Sequence, residues 1–229
     1  MAPSDVAIGA DLTLDALRLV LAPAVAEAAV FDGWTREAVI NAAEAAGADP
    51  AVAVLAFKRD ATAIQPMTLI DAWIASVDAR MAEALPAAAL ATLPIRERIR
   101  RLVQFRLDSL VGQEEALRRA LSLMALPTNV PRTLRLGWNS ADAMWRLAGD
   151  TAVDYNHYTK RATLAALYAS TLAVFAYDDS PGHAETRAFL ARRIDGVMRF
   201  EKTKAALLRS DGERFSPARL LGRLRYPAR

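Results

Sequence analysis

Cysteine is absent from the 229 residues, so disulfides, thiolate metal centres and cysteine nucleophiles are all excluded. Histidine is almost absent, with only His157 and His183 in the chain. Asp154-x-x-His157 has the spacing of half a di-iron site in a helical bundle, but that site needs a second such pair and two further glutamates. His183-x-Glu185 resembles the opening of a zinc-deaminase motif whose other half requires cysteines. Both histidines therefore read as surface or capping residues. There is no glycine-rich phosphate loop and no Gly-x-Ser-x-Gly elbow. The expectation is a protein without enzymatic activity, metal or cofactor. Lysine is scarce as well, at positions 58, 160, 202 and 204 only, and the formal net charge is +3, too small to point to a nucleic-acid partner. Met1 to Ala10 has neither a basic start followed by an apolar core nor Arg/Ser-rich character, and no apolar run approaches the roughly 18 residues that span a bilayer. The expected protein is soluble or peripheral on a membrane.

What the chain does have is helical periodicity throughout, with no window of the period-two alternation that marks a half-buried strand. The fold class is all-α. Asp11-Leu12-Thr13 can cap a first helix whose apolar positions are Leu14, Leu17, Val20, Leu21, Val25 and Ala28, with Pro23 as a kink. Gly33-Trp34-Thr35 starts a second helix carrying Ala38, Val39, Ala42 and Ala46. Asp49-Pro50 caps a short third, from Ala51 to Phe57, and a fourth runs from about Thr62 to Leu85. The Ala84–Leu93 stretch reads as an Ala-rich helix. After Pro94, residues Ile95, Ile99, Leu102, Val103, Leu107 and Leu110 form an apolar stripe, with Arg96, Arg98, Arg100 and Arg101 mostly off it as a solvated basic face or an anionic headgroup contact. Further helices are expected from Gln113 to Ala125, Arg132 to Leu147, Tyr155 to Tyr177 and His183 to Lys202, about nine in the bundle altogether.

The first three helices have the lengths of a DNA-binding head, residues 1–60. The third would enter the major groove, yet it reads Pro-Ala-Val-Ala-Val-Leu-Ala-Phe. Base reading needs hydrogen-bonding side chains and phosphate contacts need cations, and Ala and Val supply neither. No nucleic-acid partner is expected. Residues 61–204 form the bundle, and 205–229 a linker and basic tail.

Prolines, aromatics and polar residues concentrate between 124 and 161. Pro127 and Pro131 fix φ and disfavour helix at the residues before them, which predicts a stiff corner between two helices. Gly149-Asp150-Thr151 predicts a second break, since glycine suits the position just past a helix end. The order Leu126-Pro127-x-Asn129-x-Pro131, then Met144-Trp145-x-x-Ala148-Gly149-Asp150, then Asp154-Tyr155-Asn156-x-Tyr158-Thr159-Lys160-Arg161-Ala162-x-Leu164-Ala165-Ala166-x-Tyr168, with Asp179-Ser180-Pro181 beyond, resembles the ubiquinone-biosynthesis accessory family. The resemblance covers roughly Leu121 to Ala191 and more weakly Gly33 to Ser109.

That resemblance implies a TetR-regulator-like fold that binds lipid instead of acting on DNA. It implies that isoprenoid quinone or phospholipid sits between the C-terminal helices, near Leu126, Pro127, Met144, Trp145, Tyr158, Leu164, Leu167 and Tyr168. The di-iron demethoxyubiquinone hydroxylase would be the partner, met by Asn129, Pro131, Asp142, Asp150, Asp154, Asn156, His157, Tyr158 and Arg161. His157 stands where some relatives carry a large aromatic. Small Ala-rich helices are compatible either with an apolar cavity or with dense packing. A homodimer follows from fold analogy alone. The Arg-rich, Lys-poor usage favours the inner membrane of a bacterium, with the mitochondrial matrix face as the alternative.

The tail offers a separate reading. Arg214 to Arg229 holds five Arg and no acid. Ser216 can cap and Pro217 suits a first helical position. Arg219, Leu220, Leu221, Arg223 and Leu224 would form a short basic amphipathic helix suited to an anionic membrane surface, where each Arg contributes about 1 kcal/mol; a disordered tail is the alternative. Protein ending at Ser210 is expected to lose binding to anionic liposomes, and equal flotation of the truncated and full-length chains would refute the membrane role.

Overall fold

The computed structural model describes residues 12–58, 63–150 and 155–214, with the backbone alone at 155–156 and 201–214. Ten α-helices follow one another in these residues, with no strand among them. The expected tail helix, Arg219 to Leu224, lies outside the described residues.

Helix α1 (Leu14–Asp32) begins where the Thr13 hydroxyl accepts from the Ala16 amide and ends at Gly33, whose φ of 69° suits a residue without a side chain. Pro23 lies inside α1 without ending it. The buried face is Leu17, Leu21, Ala22, Val25, Ala26 and Ala29, while Leu14 and Val20, expected inside, are exposed. The face is turned because α1 is enclosed by α2 (Arg36–Ala45), α3 (Pro50–Lys58) and α4 (Pro66–Ala84) together. Thr35 caps α2, and the Asp49 carboxylate accepts from the Ala51 and Val52 amides at the start of α3.

Pro66 opens α4, where the missing N–H costs nothing. The Ala-rich stretch expected as one helix from Ala84 to Leu93 yields only α5 (Ala87–Leu90), because Pro86 cannot continue α4 and disfavours helix at Leu85. Helix α6 (Ile95–Asp108) follows Pro94 and buries Ile99, Leu102, Val103, Arg106 and Leu107, leaving Ile95 exposed at its first position.

The proline corner separates α7 (Glu114–Met124) from α8 (Val130–Leu147), which starts two residues before the expected Arg132 because Pro131 is tolerated in its first turn. The Asn129 amide nitrogen donates to the Leu123 carbonyl and the Thr133 hydroxyl to that of Met124, so side chains of the next helix satisfy the end of α7. Gly149, at φ 85°, closes α8, with the Asp150 N–H returning to the Trp145 carbonyl in a Schellman-type turn. Arg98 then donates to the carbonyls of Ala148, Leu93 and Ala91, binding the start of α6 to the end of α8. This member of the expected basic face is spent on backbone.

Helix α9 (Tyr155–Phe175) packs on α8 and on α10 (Ala184–Arg214), which continues twelve residues past the expected Lys202; the 3-10 turn Pro181–His183 stands where the last helix was expected to start. The core is continuous from the head into the bundle. Trp34, at the mouth of α2, joins the two: its Nε1 donates to the Ala116 carbonyl of α7 at 3.2 Å, and its ring meets that of Trp73 on α4 at 5.2 Å.

Candidate functional site

The spacing of small residues along α9 keeps one of its faces low: Ala162, Ala165, Ala166 and Ala169 fill little volume opposite α4, α7 and α8. The space left is a cavity of about 620 Å³, within the range of small-molecule sites. Its wall is aliphatic and aromatic, with Ile70, Ile74 and Val77 from α4, Leu117, Leu121 and Met124 from α7, Val130, Leu134 and Trp138 from α8, and Tyr168 and Leu172 from α9.

One cation interrupts that wall. Arg106, 2% exposed, comes from α6 and forms an ion pair with Asp78 of α4. Its Nη2 donates to the Ser140 hydroxyl of α8 at 3.1 Å, and its guanidinium lies 4.8 Å from the centre of the Tyr168 ring of α9. Sequence reasoning missed this residue. The signal was present: Arg106 stands four residues after Leu102 and four before Leu110, on the buried stripe of α6, unlike Arg96 and Arg100.

A smaller cavity of about 190 Å³ lies on the other side of α9, walled by Ile99, Trp145, Leu164, Leu167, Ile194 and Val197 among others. Of the residues expected to hold lipid, Tyr168 lines the larger cavity, and Trp145, Leu164 and Leu167 line the smaller. Met144 is fully buried in the core, Leu126 and Pro127 are exposed in the corner, and Tyr158 is exposed on α9.

The residues expected to meet a partner divide into two groups. Arg161 is buried and donates through Nε to Asp142 at 2.5 Å and through Nη1 to Asp150 at 3.1 Å. Arg146 also pairs with Asp142, and Lys160 with Asp150 at 2.6 Å. This network fastens α8 to α9, and Trp145 adds a bond from Nε1 to the Lys160 carbonyl at 3.0 Å. Burial of Asp142 opposes its ionisation, but bonds from Arg161 and the charges of Arg146 and Arg161 outweigh it and hold the carboxyl below its ordinary pKa. The second group lies nearer the surface: the tilted rings of Trp138, His157 and Tyr158 cluster with centres 5.1 to 6.4 Å apart, Trp138 and His157 half-buried and Tyr158 exposed, beside Leu134, which is 69% exposed. Asp154 and the Asn156 side chain lie outside the described residues, and Pro131 is exposed beside the corner. The apolar patch from Leu126 through Val130 and Leu134 to Tyr158 thus adjoins the larger cavity, whose wall shares Val130, Leu134 and Trp138.

His183 is structural in its contacts. Its ring lies 4.4 Å from that of Phe175, Nδ1 is 3.1 Å from the Asp178 carbonyl, and Nε2 is 3.4 Å from Glu114. Asp178 caps α10 by accepting from the Thr186 amide and hydroxyl and from Ser180. Burial opposes its ionisation, yet these bonds prevail and hold its pKa far below the usual carboxylate range. Among the described residues no three His, Asp or Glu side chains gather as metal ligands. On α3 the outward side chains include Val52 and Leu55.

Residues 130–201 match the COQ9 family. The chain is 35% identical over 188 residues to the human "Ubiquinone biosynthesis protein COQ9, mitochondrial", covering 79% of this chain and 57% of that protein. The rat protein of the same name is 35% identical, with 79% and 58% covered. The Drosophila melanogaster protein is 29% identical, with 82% and 57% covered. The chain therefore spans somewhat over half the length of these relatives. Among solved structures, a TetR transcriptional regulator from Nitrosomonas europaea superposes with a TM-score of 0.58 at 23% identity, covering 78% of this chain and 96% of the regulator. The fold is that of a TetR regulator.

A carboxyl whose pKa is depressed by folding contributes stability above its unfolded pKa and loses it as pH falls through the folded value. Asp142 and Asp178 are both of this kind. The urea midpoint is expected to hold from pH 7 to about 5 and to fall below about pH 4. Asp178→Asn should lower the midpoint at pH 7 and flatten the acid limb; identical acid limbs in variant and parent would remove Asp178 from this account.

Proposed function

We propose that this chain, a relative of the COQ9 proteins with the fold of a TetR regulator, is a non-enzymatic lipid-binding accessory protein of ubiquinone biosynthesis. The COQ9 relatives support the biosynthetic role. Lipid binding is supported by one observation above the others, an apolar cavity of about 620 Å³ that adjoins an exposed apolar-aromatic patch. An isoprenoid quinone intermediate leaves a bilayer only at a cost of about 25 cal/mol for each Å² of apolar surface exposed to water. A cavity walled by Ile70, Val77, Leu121 and Leu172 offers an apolar destination and lowers that cost. Phospholipid acyl chains are the second candidate occupant.

In this reading the patch around Trp138, His157 and Tyr158 meets the di-iron demethoxyubiquinone hydroxylase and brings lipid and enzyme together. Large aromatics with a polar tip are frequent anchors of such surfaces. The buried Arg161 network keeps α8 and α9 in register beneath them. No helix among the described residues is long and apolar enough to cross a membrane, and the basic segment Arg219 to Leu224 would hold the protein at the bilayer surface. The relatives are named mitochondrial, which supports a mitochondrial setting, on the matrix side, and not the bacterial inner membrane that the Arg-rich, Lys-poor usage favours. Pairing of two copies through α9 and α10 belongs to the same proposal.

The alternative, a ligand-responsive regulator, has the fold in its favour. Against it stands α3, whose exposed Val52 and Leu55 present no group that hydrogen-bonds a base edge.

Native mass spectrometry of freshly purified protein is expected to show a quinone, prenyl lipid or phospholipid near stoichiometric occupancy. Protein free of lipid that binds neither liposomes nor quinone analogues would sink the lipid reading. Tyr158→Ala should weaken capture of the hydroxylase about tenfold or more while leaving the thermal transition in place. An unchanged pull-down would dismiss the patch as the partner surface.

A further inference from the structure

We infer that Gly137 of α8 is a size-determining contact point of the larger cavity, where the occupant lies against bare helix backbone in the room left by the missing side chain. The inference rests on the reading of this cavity as a lipid site. Gly137 belongs to the cavity wall. It stands inside α8, three residues after Leu134 and three before Ser140, which line the same cavity. Residues three and four apart share one face of a helix, so a side chain at 137 would project with those of Thr133, Leu134 and Ser140. A Cβ at Gly137 would meet nothing within 4 Å beyond the backbone of its own helix. The cavity-facing stripe of α8 is therefore open at this residue.

Neither backbone conformation nor packing calls for a glycine there. Gly33, Gly47, Gly112, Gly149 and Gly182 have positive φ, where a side chain is strained, and Gly137 is not among them. No neighbouring helix crowds the place of its missing Cβ. Inside a helix glycine is less stable than alanine, because it has more backbone freedom to lose on folding. Alanine or a larger apolar residue would strengthen α8 and fill part of the void at once. What it would remove is the space itself, which only an occupant uses. The amide groups of the helix interior are spent on one another, so the part of the occupant resting on them is hydrocarbon. Its width is limited between this backbone and the low alanine face of α9. Gly196, inside α10, has the same empty surroundings but lines neither cavity, and it serves as the internal control.

The chain has no cysteine, so Gly137→Cys and Gly196→Cys each introduce a single thiol. The test is the rate at which N-ethylmaleimide alkylates each thiol in the full chain, with and without N-phenyl-1-naphthylamine, a neutral probe that fluoresces in apolar cavities. At about ten times its Kd or above, the probe should slow alkylation at 137 about tenfold or more and leave the rate at 196 within about twofold. Gly137→Leu should weaken probe binding about tenfold or more, and Gly196→Leu should change it less than about twofold. Gly137→Ala should raise the thermal midpoint of the empty protein by about 1 to 4 °C. Unchanged alkylation at 137 in the presence of probe, a Gly137→Leu variant that binds as tightly as the parent, or a midpoint lowered by Gly137→Ala would each overturn the inference while leaving a lipid cavity in place. A parent chain that binds no probe would overturn the lipid reading together with it. The labelling comparison decides the matter even if Gly137→Leu does not fold, since the space at 137 accommodates the smaller cysteine side chain.

Discussion

A guanidinium removed from water must have its charge answered within the protein, and Arg106 draws its partners from three other helices. Asp78 comes from α4, Ser140 from α8 and the Tyr168 ring from α9, while Arg106 itself belongs to α6. Breaking a buried pair by removing one partner is far more damaging than the pair is stabilising, so this contact constrains the arrangement of four helices more than it adds to stability. The cavity exists inside that constraint. Alanines on α9 leave the volume, and the four-helix tie at Arg106 opposes collapse of the walls into it.

The second ion network has a different task. Arg161, with Asp142 and Asp150, lies where α8 ends and α9 begins, and it holds together the two helices whose outer surfaces carry Trp138 and Tyr158. Polar residues that resemblance assigns to a partner surface are thus in part the fastening beneath it. The aromatic patch and the mouth of the cavity share Val130, Leu134 and Trp138. Any molecule seated on the patch would touch the cavity's own wall.

Helices α1 to α3 share a continuous core with the rest of the described residues through Trp34. The third helix nevertheless presents Val52 and Leu55 outward. The buried face of a helix and its exposed face are independent parts of the sequence, so the fold alone does not fix what α3 meets.

Much of the architecture was legible in the residues alone. Caps at Thr13, Thr35 and Asp49, glycines at 33 and 149 and prolines at 127 and 131 lie at helix boundaries, because capping and φ restriction are energies between near neighbours in the chain, whereas Pro66, expected inside the first turns of a helix from Thr62, opens α4. The all-α class and the corner before α8 follow from them. The site was much less legible. Arg106 meets Asp78 across 28 residues and Ser140 across 34, and nothing in local spacing says which helices will approach. Met144 and Trp145 are neighbours in one motif, yet one enters the core and the other a second cavity, because successive residues of a helix point about 100° apart and the surrounding helices decide what each direction meets. The sequence by itself determined where helices begin and end and that they would bury an apolar face. Only the tertiary structure decided that a void remains among them with a paired cation in its wall, since a cavity belongs to the space between helices and to no single one.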